Sequence, residues 1–464
     1  MGKSYPNYQL YKKCLKSYKK KIIKTTKVNF IKIKQKNIKK ETMRTIKHYP
    51  SGLRVIVEEM TGFTSVAFHI YVGIGSTKED ETNQGISHII EHMLFKGTEK
   101  RSAFQIAEDF KNIGCQSNAF TSKTDTCYYI RAISKYIESG VEILSDMFLN
   151  STFDEKELRR EKNVIIEELK MYKDDPESQC IELVDENFYK GSPYSSNIIG
   201  TKKSIKGVTR EQILEYKNKH YTPQNIVLSF AGNITEKQAL ELVEKYFGTL
   251  IEGQNQVEKR QLINRVYPQK SVGKVKFKDN SQSEVCITYP CVDVYSKSKY
   301  AATLLNTIWG SSSMSSRLFQ TIREKMGLVY RIYSSVCSSE YGGDITIGFS
   351  TSTKNVPIAL KAIKKEINKL IKKGITAQEL ASAKVYINTS TLLRYENTAY
   401  ISLSNARELT VFGDITSQED YLELIDKVTV EEVNELINFI YNNDNFVIAC
   451  VGKDTDINLL KEFS

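Results

Sequence analysis

The sequence has no run of about 20 apolar residues, the length that a helix needs to cross a bilayer. Its most apolar strand-like stretch, residues 65–73, is too short and contains His69. Glycine and proline are also scarce, with 24 and 8 residues in 464, which excludes collagen and argues against a largely disordered chain. We therefore exclude an integral membrane protein and predict a globular chain of two or three domains with no membrane partner.

The cysteines offer neither a disulfide framework nor a thiolate metal site. The closest pair, Cys286 and Cys291, does not have CxxC spacing, and the others follow no regular pattern. We therefore expect free, mostly buried thiols in a reducing compartment.

The excess of positive charge is confined to one end of the chain. The net charge is +11, but residues 1–42 hold 14 Lys and a single acid, so this tail carries +13 and the rest of the chain −2. Nucleic-acid-binding domains concentrate basic residues on a folded face, and the body of this chain has no such excess. We expect no nucleic-acid partner; nucleic-acid binding through the basic tail is the alternative function from another class.

The tail lacks the apolar core of a secretory signal and, having no Arg, it is also unlike a mitochondrial presequence. We predict that residues 1–42 are disordered. The residues just before Met43, Lys-Lys-Glu-Thr, are a string that a ribosome-binding sequence can encode. One hypothesis is therefore that the natural chain starts at Met43 and that the tail is translated leader, which the intact mass of the protein from its native cell would test.

The rest of the chain contains two similar halves. A strand-like run closed by glycine, 225–232, recurs at 445–452, and the Glu-Leu pair that starts at Glu157 recurs at Glu379. Matches in one order at a near-constant offset indicate a duplicated domain.

These matches predict a domain of residues 43–250, a polar linker of residues 251–268 and a second domain of residues 269–464. Within each half, strand-like and helical stretches follow one another without a strict βαβα alternation, which is typical of an α+β fold.

Two of the five histidines lie in one apolar segment, residues 86–94, which has helical spacing. His88 and His92 are one turn apart on one face, so their imidazoles can hold one zinc ion. Glu91 shares that face and can reach a water at the metal. The alternative is a pair of hydrogen-bonded core histidines. We favour the metal, because burying these groups unpaired is costly and His-x-x-Glu-His is a zinc-protease signature.

A hydrolytic zinc site also needs a third protein ligand and an open fourth position. The best candidates lie in a predicted helix at residues 160–170. Glu161 and Glu168 are two turns apart and share one stripe, whereas Glu167 points about 100° away from Glu168. The alternative is a solvated acidic face with Glu–Lys pairs, and spacing alone does not choose between Glu167 and Glu168.

Together these residues resemble the pitrilysin-like inverzincin metallopeptidases, in particular their processing-peptidase-type subunits, over the span from Leu53 to Val451. That family follows His-x-x-Glu-His with a distal glutamate, and here 75 residues separate His92 from Glu168. The resemblance implies that Glu168 is the third zinc ligand and Glu161 an accompanying acid that supports the site electrostatically. It also implies Glu91 as the general base.

The resemblance further implies a fold of two homologous domains, each a mainly antiparallel sheet with helices packed on one face. The second half contains no histidine, so we expect one Zn²⁺ per chain, with the second domain as a wall of the substrate site.

Two further segments resemble functional motifs of the family. Asn118 and Ala119 resemble its edge strand, which holds the substrate backbone by strand addition. Arg323 and Tyr330 resemble its Arg/Tyr pair, which assists at the developing oxyanion. Local sequence alone fits other interpretations equally well. Asn118 and Ala119 then belong to an ordinary turn and strand, Arg323 forms a salt bridge on a helix, and Tyr330 is a core residue.

The function that the resemblance implies is a zinc metalloendopeptidase. Such enzymes cleave unfolded peptides or presequence-like segments inside a clamshell of four domains. This chain supplies two domains with both motifs, so a homodimer is expected, with a heterodimer containing a zinc-less relative as the alternative.

The chain looks more like the bacterial members of the family, which predicts a cytoplasmic protein. One alternative is the catalytic subunit of a mitochondrial processing peptidase, which acts in the matrix. Another is a non-catalytic core subunit, against which the intact metal motif argues.

Overall fold

The computed structural model describes residues 43–252, 267–268, 272–311, 314–442, 445–453, 455–461 and 463. The predictions for the basic tail and for most of the linker lie outside the described residues. In the part that is described, no helix combines the length and the apolar character that crossing a membrane requires. The described cysteines are free, and most of them are buried, as expected.

The first half of the body contains a six-stranded sheet in the order β1–β2–β6–β3–β5–β4. Strands β2 and β6 are parallel and all other neighbours are antiparallel. The strands are β1 (Met43–His48), β2 (Arg54–Glu59), β3 (Ser65–Val72), β4 (Gln116–Thr121), β5 (Thr126–Ile133) and β6 (Ile226–Gly232).

Helices cover the sheet of the first half and carry most of the predicted site. They are α1 (Ile86–Leu94), α2 (Ala103–Asn112), α3 (Ile137–Asn150), α4 (Glu155–Asp174), α5 (Pro176–Phe188), α6 (Lys202–Gly207), α7 (Arg210–His220), α8 (Glu236–Tyr246) and α9 (Gly248–Ile251). Asp154 caps α4 by accepting from two backbone amides, and Asp175 with Pro176 ends α4 and starts α5. These caps fix where the long helix α4 begins and ends.

The second half contains a five-stranded sheet in the order β7–β11–β8–β10–β9. Here β7 and β11 are parallel and the other neighbours are antiparallel. The strands are β7 (Val272–Phe277), β8 (Ser283–Cys291), β9 (Arg331–Ser339), β10 (Gly342–Thr351) and β11 (Val447–Gly452). The helices are α10 (Lys299–Trp309), a π-helix (Phe319–Lys325), α11 (Val356–Lys373), α12 (Ala377–Arg394), α13 (Thr398–Phe412), α14 (Gln418–Lys427) and α15 (Val430–Tyr441).

Apart from the additional edge strand β1 of the first sheet, the two halves share one topology. Each sheet has a parallel pair followed by antiparallel neighbours, and each has a large cluster of buried apolar residues between sheet and helices. Glu157 and Glu379, which the sequence matched, are both the third residue of a long helix, α4 or α12. The predicted α+β fold of two similar halves with mainly antiparallel sheets is confirmed, while the domain boundaries stay a prediction.

The structure shows a feature that the sequence did not reveal: each half contributes one helix that covers the second face of the other half's sheet. Helix α5 packs on β8 and β11, where Cys180, Val184 and Phe188 meet Cys286 and Ala449. Both faces of each sheet are therefore covered, and the two halves bury apolar surface against each other.

Helix α13 makes the reciprocal contact on β3 and β6. Its buried surface includes Ser402, which lies 2.8 Å from Nδ1 of His69, and Asn405, whose amide donates to Glu58 at 2.7 Å. Burial lowers the pKa of His69 to about 3, so the ring is neutral in this interface. Paired buried polar groups of this kind fix one docking geometry for the helix.

Candidate metal centre

Helix α1 carries the histidine motif and begins at a glycine that no other residue can replace without strain. Gly85 has φ +88°, and a Cβ at this position would lie 2.2 Å from the backbone oxygen of Ile199. The entry of α1 is therefore held against the loop at 199–200. The apolar residues of the helix face the core, as its spacing predicts.

Two imidazoles and one carboxylate meet between α1 and α4. Nε2 of His88 lies 3.7 Å from Oε2 of Glu168, and Nε2 of His92 lies 3.5 Å from the same oxygen. Of the two glutamates that spacing left open, Glu168 faces the histidines. Glu167 is on the outer face, where its side chain is 70% exposed and pairs with Lys170.

These three residues fit a zinc ion. Ligands at about 2.0–2.1 Å in a tetrahedral site are about 3.3 Å apart, close to the separations of 3.5 and 3.7 Å seen here. His88, His92 and Glu168 are the only group of three potential ligands within 4.8 Å of one another among the described residues. Two imidazoles with one carboxylate is a donor set of catalytic zinc sites.

Glu161 holds the second nitrogen of one histidine. Its Oε1 lies 2.8 Å from Nδ1 of His92, and its Oε2 pairs with Nζ of Lys96 at 2.6 Å. A carboxylate on Nδ1 favours the tautomer whose Nε2 lone pair points to the metal position. His88 has no such support, because its buried Nδ1 has no hydrogen-bond partner among the described residues.

The charges of the site favour a cation. Burial alone would lower the pKa of His92, but its hydrogen bonds with Glu161 and Glu168 raise that pKa to about 9. Burial and the neighbouring imidazole lower the pKa of His88 to about 4. The hydrogen bond from His92 keeps the pKa of Glu168 below its ordinary value. Without metal, a proton on His92 therefore serves as the cation between two carboxylates, a place that a divalent ion can take.

Glu91 lies at the edge of the triad and lines a cavity of about 380 Å³ together with His88 and Glu168. Burial raises the pKa of its carboxyl group. The hydroxyl of Thr121, at the end of β4, donates to Oε2 of Glu91 at 2.5 Å. A carboxylate with a raised pKa beside a metal position can accept a proton and return it.

The predicted substrate contacts lie on an edge strand. In the described part of the chain, β4 pairs only with β5 and ends the first sheet. Ala119 lines the same cavity as Glu91, and the side chain of Asn118 is exposed. This strand therefore has a free edge to which another strand can add. The backbone N–H of Ala119 donates to Oδ1 of Asn118 at 2.9 Å, a bond that an added strand would replace.

Arg323 and Tyr330 are neighbours of each other in the second half. The guanidinium of Arg323 lies 4.6 Å from the ring centre of Phe319 and 5.7 Å from that of Tyr330. Tyr330 is 79% exposed, so it is not a core tyrosine. Neither residue lines the cavity beside the triad.

Sequence reasoning missed three residues of this centre. Thr121 lies two residues after Ala119, which the sequence analysis singled out, but nothing local predicts its hydrogen bond to Glu91. Lys96 is one turn beyond His92, and that spacing is the only local signal for its contact with Glu161. Glu182 of α5 lines the cavity and accepts hydrogen bonds from two neutral amides, those of Gln179 and Asn197.

Comparison with known proteins gives the same assignment to both halves. Residues 54–202 match the family model of insulinase (peptidase family M16), and residues 207–385 match that of the peptidase M16 inactive domain. The chain is 34% identical over 410 residues to a Bacillus subtilis protein named "Uncharacterized zinc protease YmxG", covering 88% of this chain and 98% of that one. It is 32% identical over 395 residues to an "Uncharacterized zinc protease" of Rickettsia felis, covering 85% and 94%.

Solved structures show the same fold at low sequence identity. A structure titled as the peptidase M16 inactive domain from Pseudomonas fluorescens has a TM-score of 0.82 at 21% identity and covers 89% of this chain and 98% of that chain. A protease from Helicobacter pylori has a TM-score of 0.81 at 20% identity and covers 89% and 99%. With both family models matched and a relative above 30% identity along nearly its whole length, the chain belongs to peptidase family M16, the insulinase family.

Proposed function

We propose that this protein is a zinc-dependent endopeptidase that cleaves unfolded peptides or presequence-like segments in a chamber formed by two chains. The observation that carries the proposal is the convergence of His88, His92 and Glu168 beside the half-buried carboxyl group of Glu91. Relatives named zinc proteases support the same chemistry.

The metal position is held by residues on two helices, α1 and α4. Nε2 of His88, Nε2 of His92 and a carboxylate oxygen of Glu168 are its ligands, and Glu161 orients one of the imidazoles. When bound, zinc supplies Lewis-acid activation of the scissile carbonyl and of the attacking water. The open side of the triad faces the cavity, where a carbonyl group can enter.

Glu91 is the proton carrier of the reaction. It accepts the proton of the attacking water and passes it to the leaving amine. Its burial, which raises its pKa, brings the group closer to the range in which it both accepts and donates.

The substrate backbone adds to β4 as a further strand. Asn118 and Ala119 lie on this edge, and strand addition uses backbone hydrogen bonds that any extended segment can make. A folded protein has few such free segments, so we expect cleavage of unfolded chains.

The Arg323–Tyr330 pair completes the site from the second half. Tyr330 is largely exposed and outside the cavity of its own chain, so we propose that the pair acts across a homodimer. Mixing inactive Glu91→Gln copies with inactive Arg323→Ala copies tests this, because mixed dimers regain one complete site. Activity that stays absent in the mixture would place the pair on its own chain's site or outside the reaction. A heterodimer with a zinc-less relative is the alternative assembly.

The proposed activity is tested by metal analysis and a quenched-fluorescence peptide assay on wild type and on Glu91→Gln. We expect about one zinc per chain in both and turnover only in the wild type. Zinc-independent turnover, or equal turnover in the variant, would contradict the proposal. Glu167→Gln is the matched control, because Glu167 is exposed on the outer face of α4.

A further inference from the structure

The turn between β4 and β5 connects the metal centre to other parts of the molecule. On one side, Nζ of Lys123 donates to the backbone oxygens of Tyr194 at 3.0 Å and Ser196 at 2.6 Å. It also pairs with Asp185 of α5 at 3.2 Å. The turn is thereby attached to the helix that forms one wall of the cavity.

On the other side, the turn is attached to the second half. The buried carboxylate of Asp125 lies 3.8 Å from Nη2 of Arg407 on α13. On a third side, within the first half, the backbone N–H groups of Ser76 and Thr77 donate to the backbone oxygens of Ser122 and Lys123 at 3.2 and 2.8 Å. With contacts on three sides, the end of β4 is a fixed point next to the site.

Thr121 is the residue at which this fixed point meets Glu91. Its hydroxyl donates to Oε2 of Glu91 at 2.5 Å, within the range of a charge-assisted hydrogen bond. Among the described residues, no protein group donates to the other oxygen, Oε1, so one oxygen is anchored and the other is left for the reaction.

We propose that Thr121 is a positioning residue for Glu91, which it holds in register with the strand that binds the substrate. This rests on the proposed function, in which Glu91 is the base and β4 the substrate strand. Strand β4 carries Thr121 as well as Asn118 and Ala119. The same strand therefore fixes the position of the Glu91 carboxylate and that of the substrate backbone. A base held in this way is restricted to one rotamer, and it contacts the attacking water at a fixed distance from the scissile bond.

The test compares Thr121→Val with Thr121→Ser. Valine keeps the branched shape that suits a strand but cannot donate a hydrogen bond, whereas serine keeps the hydroxyl. We expect kcat for a quenched peptide to fall about 10-fold or more in Thr121→Val, with KM, zinc content and melting temperature close to the wild type. Thr121→Ser should recover most of kcat. An unchanged kcat in Thr121→Val, or an equal loss in both variants, would overturn the proposal.

A second measurement does not depend on activity. Crystal structures of the metal-free wild type and Thr121→Ser should show Glu91 bonded to the residue at position 121. In Thr121→Val the carboxylate should have moved or spread over several rotamers. A Glu91 that keeps its position in Thr121→Val would refute the positioning role. If the wild type hydrolyses no peptide, the proposed function fails, and these structures still decide the role of Thr121.

Discussion

Replacement of Glu161 by glutamine tests how much the orientation of His92 contributes to metal binding, because it leaves all three proposed ligands in place. In the wild type, one oxygen of Glu161 accepts the hydrogen bond of His92 and the other meets the ammonium of Lys96 at 2.6 Å. A glutamine has one oxygen only. If that oxygen faces His92, the amide group faces Lys96; if it faces Lys96, the amide faces Nδ1 of His92 and favours the wrong tautomer. Either way the imidazole is less well oriented.

Loss of a carboxylate that orients a ligating histidine typically costs 10- to 100-fold in metal affinity, equal to about 1.4 to 2.8 kcal/mol. We expect this loss in Glu161→Gln, measured by competition with a zinc chelator of known affinity. Glu168→Gln, which removes a ligand, should lose more, and Glu167→Gln should bind as the wild type does. If Glu161→Gln matched Glu167→Gln, Glu161 would not support the site; if it matched Glu168→Gln, Glu161 would itself be a ligand.

Three further predictions follow from the fold and the charges. Gly85→Ala forces a side chain into a left-handed position against the backbone of Ile199, so we expect the free energy of chemical unfolding to fall by at least about 2 kcal/mol. A loss below about 0.5 kcal/mol, the size of an ordinary surface substitution, would contradict the steric account. Asn405→Ala removes a donor from the buried carboxylate of Glu58 and should cost about 1–3 kcal/mol; unchanged unfolding would show that this bond does not hold α13 in place. In metal-free protein, the pKa of His92 is raised to about 9, so its stabilising contribution is fully present below its unfolded pKa of about 6.5 and is lost as the pH rises through about 9. The difference in melting temperature between wild type and His92→Gln should therefore shrink as the pH rises from about 6.5 to about 9. A difference that grows with pH would refute the raised pKa of His92.

Much of the metal centre was predictable because its signals are local. His88, Glu91 and His92 lie within one turn and a half of a helix, and helical geometry alone places them on one face. The distal ligand was harder, because Glu167 and Glu168 are adjacent and only the direction of α1 relative to α4 decides which of them faces the histidines. The resemblance to a known family chose Glu168, and the geometry agrees with that choice.

What the sequence did not reveal depends on contacts between distant segments. Helices α5 and α13 each pack on the sheet of the other half, which places Cys180 in contact with Cys286 and His69 beside Ser402. No sequence periodicity relates the two members of either pair. The bond between Thr121 and Glu91 likewise depends on how the end of β4 packs on α1. The duplicated topology, by contrast, followed from repeated short segments in one order.

The most direct test of the account is a crystal structure of zinc-loaded protein with anomalous diffraction data collected at the zinc edge. We expect one anomalous peak per chain, within about 2.0–2.2 Å of Nε2 of His88, Nε2 of His92 and a carboxylate oxygen of Glu168. A crystal with full zinc content in which the peak lies elsewhere, or in which Glu168 turns away from the ion, would contradict the central claim.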